Sequence, residues 1–356
     1  MRTGNLRVFR QGSHSPGHTT GATRQAAERD KAEKAIHVQW VRARRAVRHL
    51  VLLLCLTAWG SARSAAATQL KPATLDAFQH YVSLTETRMA SEIHGPNAFL
   101  WVDQLPPQRR QAALEQLRQG QVITERLETR EKGQPIPIPS GMVHHWVASV
   151  FVPGVDLLRT IAEQKNFDRS AQIYGPDIQR SKLLQADGND FRVYYRIHRH
   201  VMVESPTYNA NFDVQFYPID GQREYSRSYS TRIAELIDAG LPGEREKPVG
   251  EDLGYLWRLN TYTRYEARDG GVYIQTEFIA LSRSVPAIFA WLVDPYIRSI
   301  PQDYLTHILG ATREDLMSSR QASARGTMNG QELSAQPRPV PPGVPPVSAG
   351  ATHKGY

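Results

Sequence analysis

Two arginines stand where the surrounding pattern asks for something apolar. In the run Phe191, Val193, Tyr195, Ile197, Val201 and Val203, apolar and aromatic residues recur at every second position, and Arg199 breaks the series. If that face lines a chamber, the guanidinium fork could take a ligand carboxylate or phosphate. At a strand end, the same group reaches solvent or pairs with a structural carboxylate. Arg227 raises the same question between Tyr225 and Tyr229, with Ser226, Ser228 and Ser230 on its other face. Either face of that strand can be the covered one. Tyr195, Phe212, Phe216, Trp257, Tyr265 and Phe278 would supply aromatic walls, serving as core or as the lining of a cavity. The candidate ligand-binding set is therefore Arg199, Tyr195, Phe212, Phe216, Arg227, Trp257 and Tyr265.

Other chemistry finds less support. His144 and His145 are neighbours on one expected strand, so they point to opposite faces and cannot bind one metal together. Either could act as a general base inside a cavity, or serve as a hydrogen-bonded structural histidine. No paired His or carboxylate at helical ligand spacing suggests a metal site, and no cofactor is expected. A Gly-rich phosphate cradle and a G-x-S-x-G nucleophile elbow are both missing from the sequence. No residue is assigned as catalytic.

The elements that would position these residues are legible from periodicity. Residues 73–93 carry Leu75, Phe78, Tyr81, Val82, Leu84 and Met89 near helical spacing, and Pro106-Pro107 opens a second helix ending near Gly120. Strand-like runs then alternate. Tyr208, Ala210, Phe212, Val214 and Phe216 share one face; Tyr255, Trp257, Leu259 and Tyr265 share another; Val272, Ile274, Thr276, Phe278 and Ala280 share a third. Asp187-Gly188, Asp220-Gly221 and Asp269-Gly270 sit between such runs as hairpin signals, because Asp-Gly tolerates positive φ. Polar residues opposite the apolar ones imply an antiparallel sheet with one covered face. Two helices could cover it. One follows the strand Met142–Val152 with the stripe Val155, Leu158, Ile161 and Ala162. The other carries Leu305, Ile308, Leu309, Thr312 and Leu316, with Ser299 as its expected cap and Pro295 as a break.

The 356 residues hold 43 Lys and Arg against 35 Asp and Glu. Residues 1–67 account for 12 of the basic and 3 of the acidic residues, leaving 31 against 32 in the remainder. The basic excess thus lies ahead of the folded part, and a nucleic-acid partner is not expected. Residues 42–49 (RARRAVRH), the apolar run from Leu50 to Trp59 and the small residues up to Ala67 form a secretory signal peptide with cleavage after Ala67. The mature chain then contains no cysteine, which suits export to the periplasm or beyond. Residues 1–41 are polar and lie upstream of that signal, as a misplaced translation start would leave them. Residues 68–120 form a helical extension, 121–319 the main domain and 320–356 a proline-rich disordered tail.

The strand Gly141-Met142-Val143-His144-His145-Trp146-Val147, leading into Phe151-Val152-Pro153-Gly154 and a helix, resembles the START-like (SRPBCC) superfamily. The resemblance continues through Tyr174-Gly175-Pro176 before the meander. It ends with Gly271-Val272-Tyr273 to Ser284-Val285-Pro286 feeding the last helix, and it covers roughly residues 120–318. It implies an α+β helix-grip fold: a curved antiparallel β-sheet wrapped around a long C-terminal helix, here preceded by the helical stretch. It also implies an apolar cavity that carries lipids or other hydrophobic molecules, or in some members cyclises polyketides. Fold alone does not choose among these. The leading expectation is an exported binding protein for a hydrophobic small molecule or lipid, with peripheral membrane contact as an added option. A cyclase- or hydratase-type enzyme using the same cavity, or an envelope interaction module with a filled core, are the alternatives.

Overall fold

Proline at the first helical position and apolar residues three and four apart make Pro72–His94 a helix, α1, which buries Phe78, Tyr81, Val82, Thr85, Met89 and Glu92. The computed structural model describes residues 68–95, 98–199, 205–285 and 300–321. The expected upstream segment, signal peptide, cleavage site, helix cap Ser299, Pro295 and tail lie outside them. A second helix, α2 (Pro107–Arg118), turns Ala113 and Leu117 inward. The strands β1 (Ile123–Arg126) and β2 (Gly141–Pro153) follow, then α3 (Leu157–Gln164), where Asp156 Oδ1 caps the Arg159 amide at 2.8 Å. Six strands complete the sheet: β3 (Ile178–Asp187), β4 (Asp190–His198), β5 (Thr207–Pro218), β6 (Arg223–Ile237), β7 (Arg258–Arg268) and β8 (Gly271–Arg283). A last helix, α4, spans 300–321.

The strands run β1-β2-β8-β7-β6-β5-β4-β3, all antiparallel, with Arg245–Glu246 adding a short ninth strand to β6. Because the chain crosses from β2 to the opposite edge at β3 and meanders back, β8 pairs β2, and the first and last long strands become neighbours. The inner face packs on α3 and α4: Trp146, Val150, Val193, Phe212, Phe216, Tyr265 and Phe278 join Leu305, Leu309 and Leu316 in one cluster. This is the helix-grip arrangement.

The expectation of a single covered face is corrected at the sheet centre. Every residue of β8 from Gly271 to Ser282 is buried. Its outward side chains Tyr273, Ile279 and Leu281 pack against α1, the 101–104 turn and α2. The polar outward residues are therefore buried too, and they find partners from the helical extension. Glu277 Oε1 lies 2.6 Å from His145 Nε2 and also accepts from Arg88. His145 Nδ1 meets the Tyr81 hydroxyl at 2.9 Å, and that oxygen accepts the Thr129 amide at 2.7 Å. Glu92 binds Arg88 and Arg264, each at 2.7 Å, while Arg264 also donates to the Phe99 carbonyl at 2.6 Å. With Thr129 donating to Tyr81, the tyrosine proton is left for Nδ1 and the imidazole Nε2–H for Glu277.

Three local expectations also change. Of the expected stripe, Val155 and Ile161 are buried, but Leu158 is 82% exposed and Ala162 is exposed; α3 buries Leu157 and Thr160 in their place, because the helix begins only after the Asp156 cap. Trp257 does not share a face with Leu259 and Tyr265. It precedes the first residue of β7, where alternation does not hold, and it packs outward among Phe78, Tyr81 and Tyr262. The three Asp-Gly turns differ. Asp269 and Gly270 both take positive φ, and Gly188 does so alone. At Asp220-Gly221 the aspartate instead accepts the Gln222 amide at 2.9 Å, an Asx turn.

Removing one partner of a buried ion network leaves the others uncompensated, at a cost of about 3–5 kcal/mol. Glu277→Ala should therefore lower unfolding free energy by roughly that much in denaturant titrations. Glu131→Ala, which removes only the exposed ion pair with His80, should cost less than about 1 kcal/mol. Equal and small losses in both would show that the network does not fasten the extension.

Candidate functional site

Where the sheet packs on α4, aromatic rings line the core. Phe167, Phe191, Phe216 and Tyr265 follow one another with centroids 5.2, 5.9 and 6.5 Å apart. Tyr195 lies 5.7 Å from Phe212, and Phe278 lies 6.3 Å from Tyr304 of α4. Edge-on and offset contacts of this kind are the favoured geometries. Four predicted site residues, Tyr195, Phe212, Phe216 and Tyr265, thus come together on the inner face.

Polar groups enter this lining at three tyrosines. Tyr174 Oη lies 3.1 Å from Thr312 Oγ1 of α4. Tyr195 and Tyr265 face Ser170 and Ser226. Burial pushes the phenols of Tyr174, Tyr195 and Tyr265 above their ordinary value, so they stay protonated and can donate. Glu224, beside Tyr265 in the β6–β7 register, is buried, and its Oε1 has no hydrogen-bond partner. Desolvation raises its carboxyl, and the Lys165 ammonium at 3.8 Å opposes that rise. Lys165 also donates to Asn189 Oδ1 at 2.9 Å and lies 4.8 Å from the Phe216 ring centroid.

His144 shares the inner face with Trp146 and Ala280, its register partner. Its Nε2 is 2.8 Å from Ser282 Oγ. Burial, with Arg126 nearby, lowers its pKa to about 4, so the ring is neutral at physiological pH. His145 points the other way, into the outer network.

The remaining predicted residues are placed elsewhere. Arg199 is clasped: Nη1 donates to Asp177 Oδ1 at 3.1 Å, and its guanidinium lies 3.7 Å from the Tyr304 ring centroid. His307 Nδ1 takes the other Asp177 oxygen at 2.7 Å. The group thus fastens α4 to the ends of β3 and β4. Arg227 is on the outer face with Tyr225 and Tyr229, where it donates to Tyr217 Oη and lies 4.6 Å from that ring's centroid. Trp257, also outward, donates Nε1–H to Asp252 at 3.0 Å. Glu224, Tyr174 and Tyr304 were not among the predicted site residues. Glu224 shares its parity with Ser226, and once that face is known to be inner, the signal is there.

No protein-family model and no curated protein matches the chain. Among solved structures it is similar to a STAR-related lipid transfer protein from Xanthomonas axonopodis, at 14% identity over 55% of this chain and 98% of that one, TM-score 0.35. It is also similar to the Zhui aromatase/cyclase from Streptomyces sp. R1128, at 12% identity over 50% and 94%, TM-score 0.29. The lipid transfer and protein localization domain of human StarD13 matches at 9% identity over 60% and 98%, TM-score 0.33. These likenesses concern the fold alone and bring no residue or activity to this chain.

Proposed function

We propose that this is an exported binding protein that holds a hydrophobic small molecule or lipid between the sheet and α4. The observation that carries the proposal is Glu224 Oε1, a buried carboxylate oxygen beside Tyr265 that has no hydrogen-bond partner and only the Lys165 ammonium, at 3.8 Å, as counter-charge. An orphaned buried acceptor is costly, and a ligand donor would relieve it. Apolar burial would supply most of the affinity, with Glu224 and the tyrosine hydroxyls fixing orientation. Because Asp177 already neutralises Arg199, the ligand suited to this interior is an apolar molecule bearing a hydroxyl or similar donor rather than an anion. Export is supported by the signal-like pattern ending at Ala67 and by the lack of cysteine after it.

Native mass spectrometry of the protein purified from its own envelope should show an added mass that organic extraction removes. Glu224→Leu should cut the occupied fraction about tenfold while the protein remains folded. A bare mass, with no uptake from a total lipid extract, would overturn the proposal in favour of a filled-core interaction module.

One observation favours the second reading, a cyclase- or hydratase-type enzyme: a neutral His144 on the inner face is able to accept a proton. Its depressed pKa has a consequence for stability. The unfolded chain takes up this proton first, so stability is lost as pH falls from about 6.5, and the loss is complete near the folded value of about 4. Denaturant titrations across that window should show about 3 kcal/mol of such loss, and His144→Phe should remove that share of it. An unchanged pH slope in the variant would mean that His144 is not held neutral in the native protein.

A further inference from the structure

The other side of the same sheet carries a group of charges that the interior does not use. At the ends of β3–β6, the outer face and the loop that follows β6 border an open cavity of about 500 Å³. Arg180, Arg196, His198, Thr207, Glu235 and Gly240 are among the residues that line it. Arg180 on β3 and Arg196 on β4 are direct register partners. Like charges in directly opposed positions repel, and a sheet does not gain from them without an anion between or beside them.

The two arginines differ in how they are satisfied. Arg196 is only 4% exposed; it donates from Nη2 to Glu244, while its buried Nε–H has no hydrogen-bond partner. Arg180 is exposed, and it has neither a hydrogen bond nor an ion pair among the described residues. Two acids line the cavity: Asp238 is exposed, and Glu235 is already committed to Lys247 at 2.5 Å and to the Leu253 amide at 2.9 Å. Glu244 itself comes from the loop, where its Oε2 accepts the Gly240 amide at 2.6 Å as well as Arg196. One loop carboxylate therefore already bridges a buried guanidinium and a backbone amide beside the cavity, which is the way an oxyanion is held.

We propose that this cavity binds a phosphate group between Arg180 and Arg196, with Glu244 as the built-in anion that the ligand displaces or joins. Two guanidinium forks on adjacent strands suit an anion with several acceptor oxygens. The phosphate could be free or be the headgroup of a lipid; the site is on the opposite face from the chamber and does not depend on it.

The test uses inorganic phosphate by isothermal titration at low ionic strength. It also uses pelleting with phosphatidylcholine vesicles, with and without phosphatidic acid. Saturable phosphate binding is expected. Arg180→Gln should weaken it about tenfold or more, and Glu244→Gln should strengthen it several-fold. Lys182→Gln removes the same charge from the same exposed strand outside the cavity, and it should change affinity less than twofold. Binding only to phosphatidic acid vesicles, with the same dependence on Arg180 and Glu244, would assign the phosphate to a lipid headgroup. The absence of both kinds of binding would overturn the proposal. So would an equal loss from Lys182→Gln, since that describes a diffuse basic surface rather than a site. Circular dichroism of each variant ensures that lost binding is not lost folding.

Discussion

The interior strand β8 is buried on both of its faces, and the remainder of the architecture follows from satisfying it. Its inner side chains need apolar cover, which α3 and α4 supply. Its outer side chains include Gln275 and Glu277, and a buried amide or carboxylate without partners would cost more than the strand could recover from packing. The Trp101 amide donates to Gln275 at 2.5 Å, while His145 and Arg88 answer Glu277. The carboxyl of Glu277 is held below its ordinary value despite its burial, by the His145 hydrogen bond and the nearby Arg88 and Arg264. The helical extension is therefore part of the fold. Its buried stripe of Phe78, Tyr81, Val82 and Met89 is spent on its own sheet, which leaves that face of α1 closed to outside partners.

The same logic assigns roles to the arginines. Charge on the inner side is paired: Glu224 has the Lys165 ammonium at 3.8 Å, and two ion-pair groups tie α4. The Arg199–Asp177–His307 group fastens one stretch of α4. Further along α4, Arg169 joins Glu163 at 2.8 Å and Asp315 at 2.7 Å. Around these ties, at His307 and Asp315, α4 meets the sheet mostly through Tyr304, Leu305, Leu309 and Leu316. Apolar contacts are non-directional and can be redistributed, whereas the ion pairs fix position.

Much of this was legible in the sequence, for a definite reason. Period-two alternation survives wherever one face is apolar, so the inner set Val193, Ile197, Phe212, Phe216, Ile274 and Phe278 could be read directly, as could α1, α2 and the helix after β2. What failed was the assumption that polar means exposed. His145, Arg264, Gln275 and Glu277 alternate with apolar residues just as solvent-facing groups do, yet each is about 2% exposed or less. Their partners Arg88 and Glu92 lie up to some 190 positions away, and no local pattern encodes that pairing. Trp257 was misplaced by extending alternation one step beyond the strand, and Leu158 by starting the helix before its cap.

The candidate site was legible in its walls and not in its polar groups. Aromatic residues declare themselves by type and parity, but the role of a charged residue depends on what neutralises it. Arg199 and Arg196 look alike in the sequence: both lie on β4 or just beyond it, three residues apart. Odd parity carries Arg199 to the inner rim, where Asp177 from the preceding loop meets it. Even parity carries Arg196 to the outer face opposite Arg180, where only a loop carboxylate reaches it. One arginine is thereby made structural, while the other is left with donor capacity beside an open cavity. The distinction comes from which loop supplies an acid to which face, and that is a property of the assembled sheet.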